Sequence, residues 1–228
     1  MIQFNAKHLK ALMPVKAGIN DPRYYMNSIR IEPHAEGGVV LVASNGHAMM
    51  CIRDLEATCS EAATFTISAD AAKFCGRRGV EHETMVEINP ITERLVIRAR
   101  QSGDERFVQP GKCLIVGQKY PEWQRVIPRF SQLKTCVADE VNVDYYALAA
   151  RVHPAPANDF RVARTIRLWQ ESPDGCIAVE YIGAPDHLMI IMPRRNMRPP
   201  GDALVDWIAA FGETKSSTPT TTTKEGQP

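Results

Sequence analysis

Gly38–Met50, GVVLVASNGHAMM, is the stretch around which the rest of the chain is organised. Val39–Val42 is an apolar, largely β-branched run, which favours an extended strand. Asn45-Gly46 follows, and a second extended run begins at His47. An Asn-Gly pair between two such runs predicts a tight hairpin with a type I′ turn, in which both central residues have positive φ.

The composition is typical of a globular protein with one large domain or two small ones. The chain has 228 residues, of which 44% are apolar and 23% charged. Its 27 basic and 26 acidic residues give a net charge of +1, which excludes a composition built throughout for binding a polyanion. A basic face balanced by an acidic one is still compatible with this charge.

Several sequence features predict a cytoplasmic location. No run reaches the roughly 18 apolar residues of a membrane span, and the N-terminus lacks the apolar core of a secretory signal. The six cysteines form no CxxC pair, so we expect reduced thiols. They are Cys51, Cys59, Cys75, Cys113, Cys136 and Cys176.

A strand–helix–three-strand pattern occurs three times along the chain. The helices follow the candidate N-caps Asn5, Ser68 and Asn142, which are spaced 63 and 74 residues apart. In the first unit, Tyr24–Glu32 is predicted as the strand before the hairpin. Such a recurrence predicts an α+β repeat fold with antiparallel sheets, in which one helix per meander places all helices on one face.

Breaks in this pattern divide the chain. Residues 1–118 hold two repeats, 119–131 form a linker and 132–195 hold the third repeat. Residues 196–213 form an extension with a short amphipathic helix, and the Thr-, Ser- and Lys-rich residues 214–228 are predicted to be disordered. The apolar face of that helix either covers exposed sheet or packs into a groove of this chain or a neighbour. It consists of Leu204, Trp207, Ile208 and Phe211.

Four motifs resemble the bacterial DNA polymerase III β subunit, the sliding clamp, in the same order and with similar spacing. DPRYYMNSIRIE (21–32) is similar to a RYYLNG strand of that family, and VASNGHAMM to its ATDGHRLA hairpin. YPEWQRVIP (120–128) is similar to the FPDYRRVLP linker, and IIMPRR to the terminal VVMPMR. The resemblance implies a DNA-clamp fold in which 1–118 correspond to the middle domain and 132–195 to half of the last domain.

The resemblance also implies a groove that captures short peptides from polymerases and clamp loaders. Its methionines would form a soft apolar pocket, Gly46 would let a ligand backbone approach, and two arginines could hold a polar end. Asn45, Ala48 and Arg194 depart from the family pattern, which leaves partner specificity open. The implied groove residues are Met26, Ser44, Gly46, His47, Met49, Pro121, Arg125, Val126, Ile190, Met192, Pro193 and Arg195.

In the family, the helical face meets double-stranded DNA through phosphates. Such contacts would be weak, salt-sensitive and independent of sequence. A family ring holds about twelve repeats, so three repeats per chain would suggest a homo-oligomer of about four chains, although an open assembly is equally compatible. The implied DNA-facing residues are Lys7, Lys10, Lys73, Arg77, Arg78 and Arg151.

The favoured function is therefore a non-enzymatic processivity factor, and the reduced size suggests a phage or mobile-element origin. The alternative is a clamp-derived adaptor or decoy that binds the same peptides without encircling DNA. No carboxylate pair, Ser/His/Cys constellation or metal-ligand spacing indicates an enzyme, a metal or a cofactor.

Overall fold

A computed structural model describes residues 1–75, 84–101, 104–135, 142–154, 164–172 and 174–192, with no side-chain description for 99–101 and 104–109. Met1–Arg194 form one compact unit. The predicted C-terminal helix and tail lie outside the described residues, so both stay predictions. No helix in the described part of the chain has the length and apolarity required to span a bilayer.

The three predicted repeats are present. Repeat 1 comprises β1 (Ile2–Asn5), α1 (Lys7–Leu12), β2 (Ile29–Pro33), β3 (Val39–Ser44) and β4 (Ala48–Asp54). A short strand, β5 (Thr58–Cys59), precedes repeat 2, which comprises β6 (Ala63–Ile67), α2 (Ala69–Cys75), β7 (Thr84–Asn89), β8 (Arg94–Gln101) and β9 (Asp104–Ile115). Repeat 3 comprises β10 (Lys134–Thr135), α3 (Val143–Arg151), β11 (Ile166–Gln170), β12 (Ile177–Tyr181) and β13 (His187–Ile191).

These strands form one antiparallel sheet in the order β10-β11-β12-β13-β4-β3-β2-β6-β9-β8-β7-β1-β5. Within each repeat the last three strands form a meander. Repeats 1 and 2 exchange their first strands, since β1 pairs with β7 and β6 pairs with β2. Repeat 3 joins repeat 1 through the β4–β13 ladder, so the sheet continues across the predicted boundary between the two parts of the chain.

The sheet has a helical face and an outer face. Buried residues of all three helices, such as Leu9, Phe74 and Leu148, belong to one core cluster with Ile31 and Met189 of the sheet. Every second strand residue therefore faces the helices, as the period of a strand requires. The predicted α+β architecture with helices on one face of the sheet is confirmed.

The linker covers the outer face. Two 3₁₀ helices, Trp123–Val126 and Phe130–Gln132, lie in it, and Tyr120 is 5% exposed. Tyr120 and Trp123 join a second apolar cluster that contains Met49 and Ile190. The segment predicted as a connector thus shields the outer side of the β4–β13 junction from water.

The hairpin is confirmed, but its predicted turn is wrong. The second strand begins at Ala48, not at His47, and only Gly46 has a positive φ, of 87°. The Asn45 side chain explains the difference, because its Oδ1 accepts the backbone N–H groups of His47 and Ala48 at 2.9 Å. This Asx geometry holds the turn without placing Asn45 in the left-handed region.

The local predictions of the first repeat need two further corrections. Tyr24–Met26 is a 3₁₀ helix and the strand begins at Ile29, so the predicted strand from Tyr24 to Glu32 starts too early. The N-cap of α1 is Ala6, while Asn5 ends β1 and accepts the Lys7 N–H through its side chain.

The other two predicted caps are confirmed. Ser68 Oγ accepts the N–H of Ala71 at 3.3 Å, and Asn142 Oδ1 accepts the N–H of Asp144 at 3.0 Å. Short polar side chains satisfy N–H groups that the first turn of a helix leaves without partners.

Two histidines lie at the junction of repeats 1 and 3: His8 is buried and His187 is half-buried. The rings of His8 on α1 and His187 on β13 are 5.8 Å apart, and His8 Nε2 lies 3.1 Å from Asp54 Oδ2. Burial lowers the pKa of His187 to about 4, and the positive charges of His8, Lys7 and His153 act in the same direction. Folding therefore favours a neutral His187.

This burial predicts acid sensitivity at the junction. Below pH 6.5 the unfolded chain protonates His187 while the folded chain resists protonation down to about pH 4, so the free energy of unfolding should fall across that window. The contribution of this residue is about 3 kcal/mol. His187→Gln should flatten the slope between pH 6.5 and 4, measured by urea unfolding. An unchanged slope would contradict this assignment.

Candidate functional site

An apolar pocket lies where the β4–β13 ladder meets the linker. Its volume is about 160 Å³. Met49 on β4 is paired with Ile190 on β13, and the backbone N–H of Met192 donates to the carbonyl of His47 at 2.8 Å. These contacts bind the hairpin tip of repeat 1 to the end of repeat 3, so repeats 1 and 3 both supply part of the pocket wall.

The structure brings together nine of the twelve residues predicted for the groove. They come from four separate parts of the chain: the 3₁₀ helix before β2, the hairpin tip, the linker and the end of β13. Their proposed role in binding peptide stays a prediction, because the geometry alone does not test it. The nine are Met26, Ser44, Gly46, His47, Met49, Pro121, Val126, Ile190 and Met192.

Arg125 does not line the pocket. Its side chain is 79% exposed and Nη2 lies 2.5 Å from Glu122 Oε2. The cause is the 3₁₀ helix over Trp123–Val126, in which residues three apart lie above one another. Trp123 and Val126 therefore share the inner face and Arg125 points outward. Pro193 and Arg195 lie outside the described residues.

Four further residues line the pocket: Ala48, Tyr120, Glu122 and Trp123. Tyr120 and Trp123 lie within two residues of the predicted Pro121. Two aromatic residues so close together in a polar linker were the sequence signal that could have identified them as pocket residues. Ala48 is small, and only its place beside the hairpin tip brings it to the wall.

The rim of the pocket is fixed by Arg23. Its guanidinium makes a two-point contact with Asp21, at 3.0 Å and 2.9 Å, and Nη2 also donates to the Asn45 carbonyl at 3.1 Å. A Cβ at Gly46 would lie 2.5 Å from Arg23 Nη1. With a φ of 87° at this position, a substitution such as Gly46→Glu would disturb the hairpin turn itself.

The pocket wall is mainly apolar and includes the methionines Met26, Met49 and Met192. Burial raises the pKa of the Cys51 thiol to about 12, so this cysteine is not a thiolate nucleophile at neutral pH. Among the described residues, no group of three or more His, Cys, Asp or Glu side chains is placed to hold a metal ion. Methionine side chains supply a soft wall that adapts to different apolar ligands.

The helical face carries the described cations predicted to meet DNA. They are exposed on three different helices on the same side of the sheet, and the first turns of α2 and α3 also carry the exposed carboxylates Asp70 and Asp144. The face is therefore only modestly positive in the described part of the chain. Arg77 and Arg78 lie outside that part. The placed cations are Lys7 and Lys10 on α1, Lys73 on α2 and Arg151 on α3.

Solved structures share this fold. The DNA polymerase III β subunit of Borrelia burgdorferi aligns with a TM-score of 0.59 and 11% identity, covering 86% of this chain and 62% of that one. The DNA polymerase III β chain of Streptococcus pneumoniae aligns with a TM-score of 0.54 and 12% identity, covering 85% of this chain and 64% of that one. The DNA polymerase sliding clamp of Pseudomonas aeruginosa aligns with a TM-score of 0.50 and 14% identity, covering 86% of this chain and 66% of that one.

These similarities assign the fold and show how far it extends. The chain has the DNA-clamp fold of DNA polymerase III β subunits. It spans between 62% and 66% of the length of these three solved clamps. No family model matches the sequence, and no curated protein matches it.

A matched pair of glycine variants tests the rim. Gly46→Ala combines a φ of 87° with a contact to Arg23, whereas Gly183→Ala has a φ of 83° in open space. Both should lose about 1 kcal/mol of unfolding free energy from backbone strain, and Gly46→Ala should lose more. Urea unfolding measures both values. Equal losses would show that Arg23 does not restrict this position.

Proposed function

We propose that this chain is a non-enzymatic, clamp-like processivity factor that binds short peptide segments of a polymerase, or of a clamp loader, in the pocket. The observation that carries the proposal is the meeting of Met49, Val126 and Ile190 at one apolar pocket between the repeats. The fold shared with DNA polymerase sliding clamps gives this pocket its functional context.

The size and lining of the pocket favour a short apolar segment. A volume of about 160 Å³ is close to that of cavities which hold one benzene-sized group, so it suits an apolar side chain or two. Glu122 and Ser44 at the wall provide polar atoms that could orient a peptide backbone. Recognition would depend on apolar anchoring, which agrees with an extended or helical peptide lying across the mouth.

The helical face supplies the second part of the proposal. Lys7, Lys73 and Arg151 are exposed on three helices of one face, and they would contact phosphates of double-stranded DNA without reading its sequence. In a homo-oligomeric ring these contacts allow sliding, while the pocket keeps the polymerase at a high effective concentration near the primer end.

A clamp-derived adaptor or decoy is the second candidate. It is favoured by the exposed carboxylates Asp70 on α2 and Asp144 on α3, which reduce the positive charge of the helical face. Such a protein would bind clamp-interacting peptides without encircling DNA, and it would sequester or redirect the proteins that carry those peptides.

Peptide capture is tested at the linker. Val126→Glu introduces a charge into the apolar wall, and we expect it to weaken peptide binding at least tenfold because the carboxylate would lose its hydration on binding. Ile91→Glu, at a position 92% exposed, is the matched control and should bind as the unaltered chain does. Fluorescence anisotropy with labelled clamp-binding peptides of bacterial polymerases measures affinity. Equal affinities in folded variants would refute the pocket assignment.

Encirclement is tested with DNA topology. Supplied with a bacterial clamp loader and ATP, the chain should be retained on nicked circular DNA and released when that DNA is linearised, because a ring slides off a free end. Gel filtration of the DNA-bound fraction measures retention. Peptide binding without topological retention would favour the adaptor, and the absence of both would exclude both candidates.

A further inference from the structure

A second groove lies on the outer face of the sheet, over repeat 3. Its volume is about 480 Å³, against about 160 Å³ for the pocket. Strands β11, β12 and β13, the end of the linker and the turn before β13 all contribute side chains to it. We call it the repeat-3 groove. Its principal lining residues are Phe130, Leu133, Trp169, Glu180, Pro185 and Leu188.

The walls of this groove are largely apolar and only partly covered. Phe130 is 64% exposed, and Trp169 and Leu188 are half-buried. Trp169 and Leu188 also pack against the second apolar cluster, which lies beneath the linker. An exposed aromatic ring in the same groove as a half-buried one offers apolar surface to the stem of a long side chain.

One carboxylate, that of Glu180, stands in this apolar wall. Its Oε2 accepts the Nε1–H of Trp169 at 2.8 Å, and the side chain is 44% exposed. The indole therefore holds the carboxylate in place, while Oε1 has no hydrogen bond within the described residues. A carboxylate that is fixed in advance loses less conformational entropy when it binds a donor.

Arg167 shows which chemistry this part of the surface favours. Its guanidinium carbon lies 5.6 Å from the centre of the Trp169 ring, and its Nη1 lies 3.4 Å from Glu180 Oε2. A cation is thus attracted here both by the face of an aromatic ring and by a carboxylate. Arg167 does not line the groove, so the groove itself stays open.

The lining of the groove is negative at neutral pH. His187 lies at its wall, and partial burial lowers the pKa of this histidine to about 4, so the imidazole is neutral. The described residues that line the groove therefore include one carboxylate and no cation. Asp186, between the lining residues Pro185 and His187, is exposed and adds a second negative charge near the mouth.

The repeat-3 groove lies next to the pocket. Ala178 lines the groove and is the register partner of Ile190, which lines the pocket. On β13, Leu188 in the groove and Ile190 in the pocket are two residues apart on the same face, a separation of about 7 Å. One extended peptide is therefore long enough to reach both.

We infer that the repeat-3 groove binds a lysine or arginine side chain of the same partner peptide whose apolar anchor occupies the pocket. The stem of the side chain packs against Phe130 and Trp169, and its cationic end meets the carboxylate of Glu180. The basic residue lies about two to four positions from the anchor in an extended peptide. The inference deepens the proposed function and rests on it, since it adds a charge requirement to the partner.

Paired peptide probes test this inference. Labelled clamp-binding peptides of bacterial polymerases receive one lysine, or one glutamine, at each position flanking the apolar anchor. At one position we expect lysine to bind about three to ten times more tightly than glutamine, because the aromatic ring and the carboxylate both attract the cation. Fluorescence anisotropy measures the affinities. A panel without a lysine preference at any position would overturn the inference.

A pair of charge-removing variants assigns the preference to Glu180. Glu180→Gln keeps an oxygen that accepts the Trp169 N–H but removes the charge, so the lysine preference should fall to about twofold or less. Glu61→Gln is the matched control, because it removes the same charge from an exposed position that lines neither the groove nor the pocket. Equal lysine preferences in the two variants would show that Glu180 does not bind the cation.

Salt dependence gives a measurement on the unaltered chain, which decides the question if circular dichroism shows that Glu180→Gln does not fold. Added salt should weaken binding of the lysine probe more than binding of the glutamine probe, since an ion pair at a partly exposed carboxylate is screened. The same salt dependence for both probes would contradict the ion pair.

Failure of this inference is distinguishable from failure of the proposed function. Nα-acetyl-lysine methylamide carries the stem and the cation but no anchor for the pocket, and its norleucine counterpart lacks only the charged end. In a titration, the indole N–H resonance of Trp169, assigned with Trp169→Phe, should shift saturably with the lysine compound and much less with the norleucine compound. This result without any peptide binding would refute the proposed function alone, whereas peptide binding without a lysine preference would refute the groove alone.

Discussion

The antiparallel ladder between β4 and β13 is the contact on which the site and the extended sheet depend. It joins residues about 140 positions apart in the chain, from His187 opposite Ile52 to Ile191 opposite Ala48. Backbone hydrogen bonds fix the register, and a shift by one residue would move Met49 and Ile190 from the outer face to the helical face. The pocket therefore exists only in this one register.

The two faces of the sheet differ in burial because different elements cover them. On one face, three short helices complete a continuous core. On the other, the linker places Tyr120 and Trp123 against the junction but leaves the space beside Val126 and Met192 open. A linker that filled this space would give a more buried chain without a site. The incomplete cover leaves an open apolar pocket on this face.

Among the described repeats, the third is joined to the sheet differently from the first two. In the first two repeats, exchanged strands satisfy both edges and bury both sets of apolar side chains. The third repeat joins the sheet through its last strand only, so its first strand and helix contribute less burial. The junction histidines add a cost in acid, since partial burial of His187 disfavours its protonated form.

Much of the local structure of this protein could be predicted from the sequence, because short-range interactions determine it. The three repeats, the hairpin at Asn45-Gly46 and the caps at Ser68 and Asn142 follow from apolar periodicity and short polar side chains, whose effects reach only a few residues. Nine pocket residues could be named because their motifs resemble a clamp, but the sequence alone gave no distance among them.

The orientation of individual side chains and the pairing of distant strands follow only from the tertiary structure. Arg125 faces away from the pocket because a 3₁₀ helix rotates it outward, and Gly46 alone takes a positive φ because the Asn45 side chain completes the turn. The exchange of β1 and β6, and the half-buried state of Ile166, depend on which strands meet across the sheet. Such choices follow from long-range pairing, whose free energy is shared among many residues and is not present in any local stretch of the sequence.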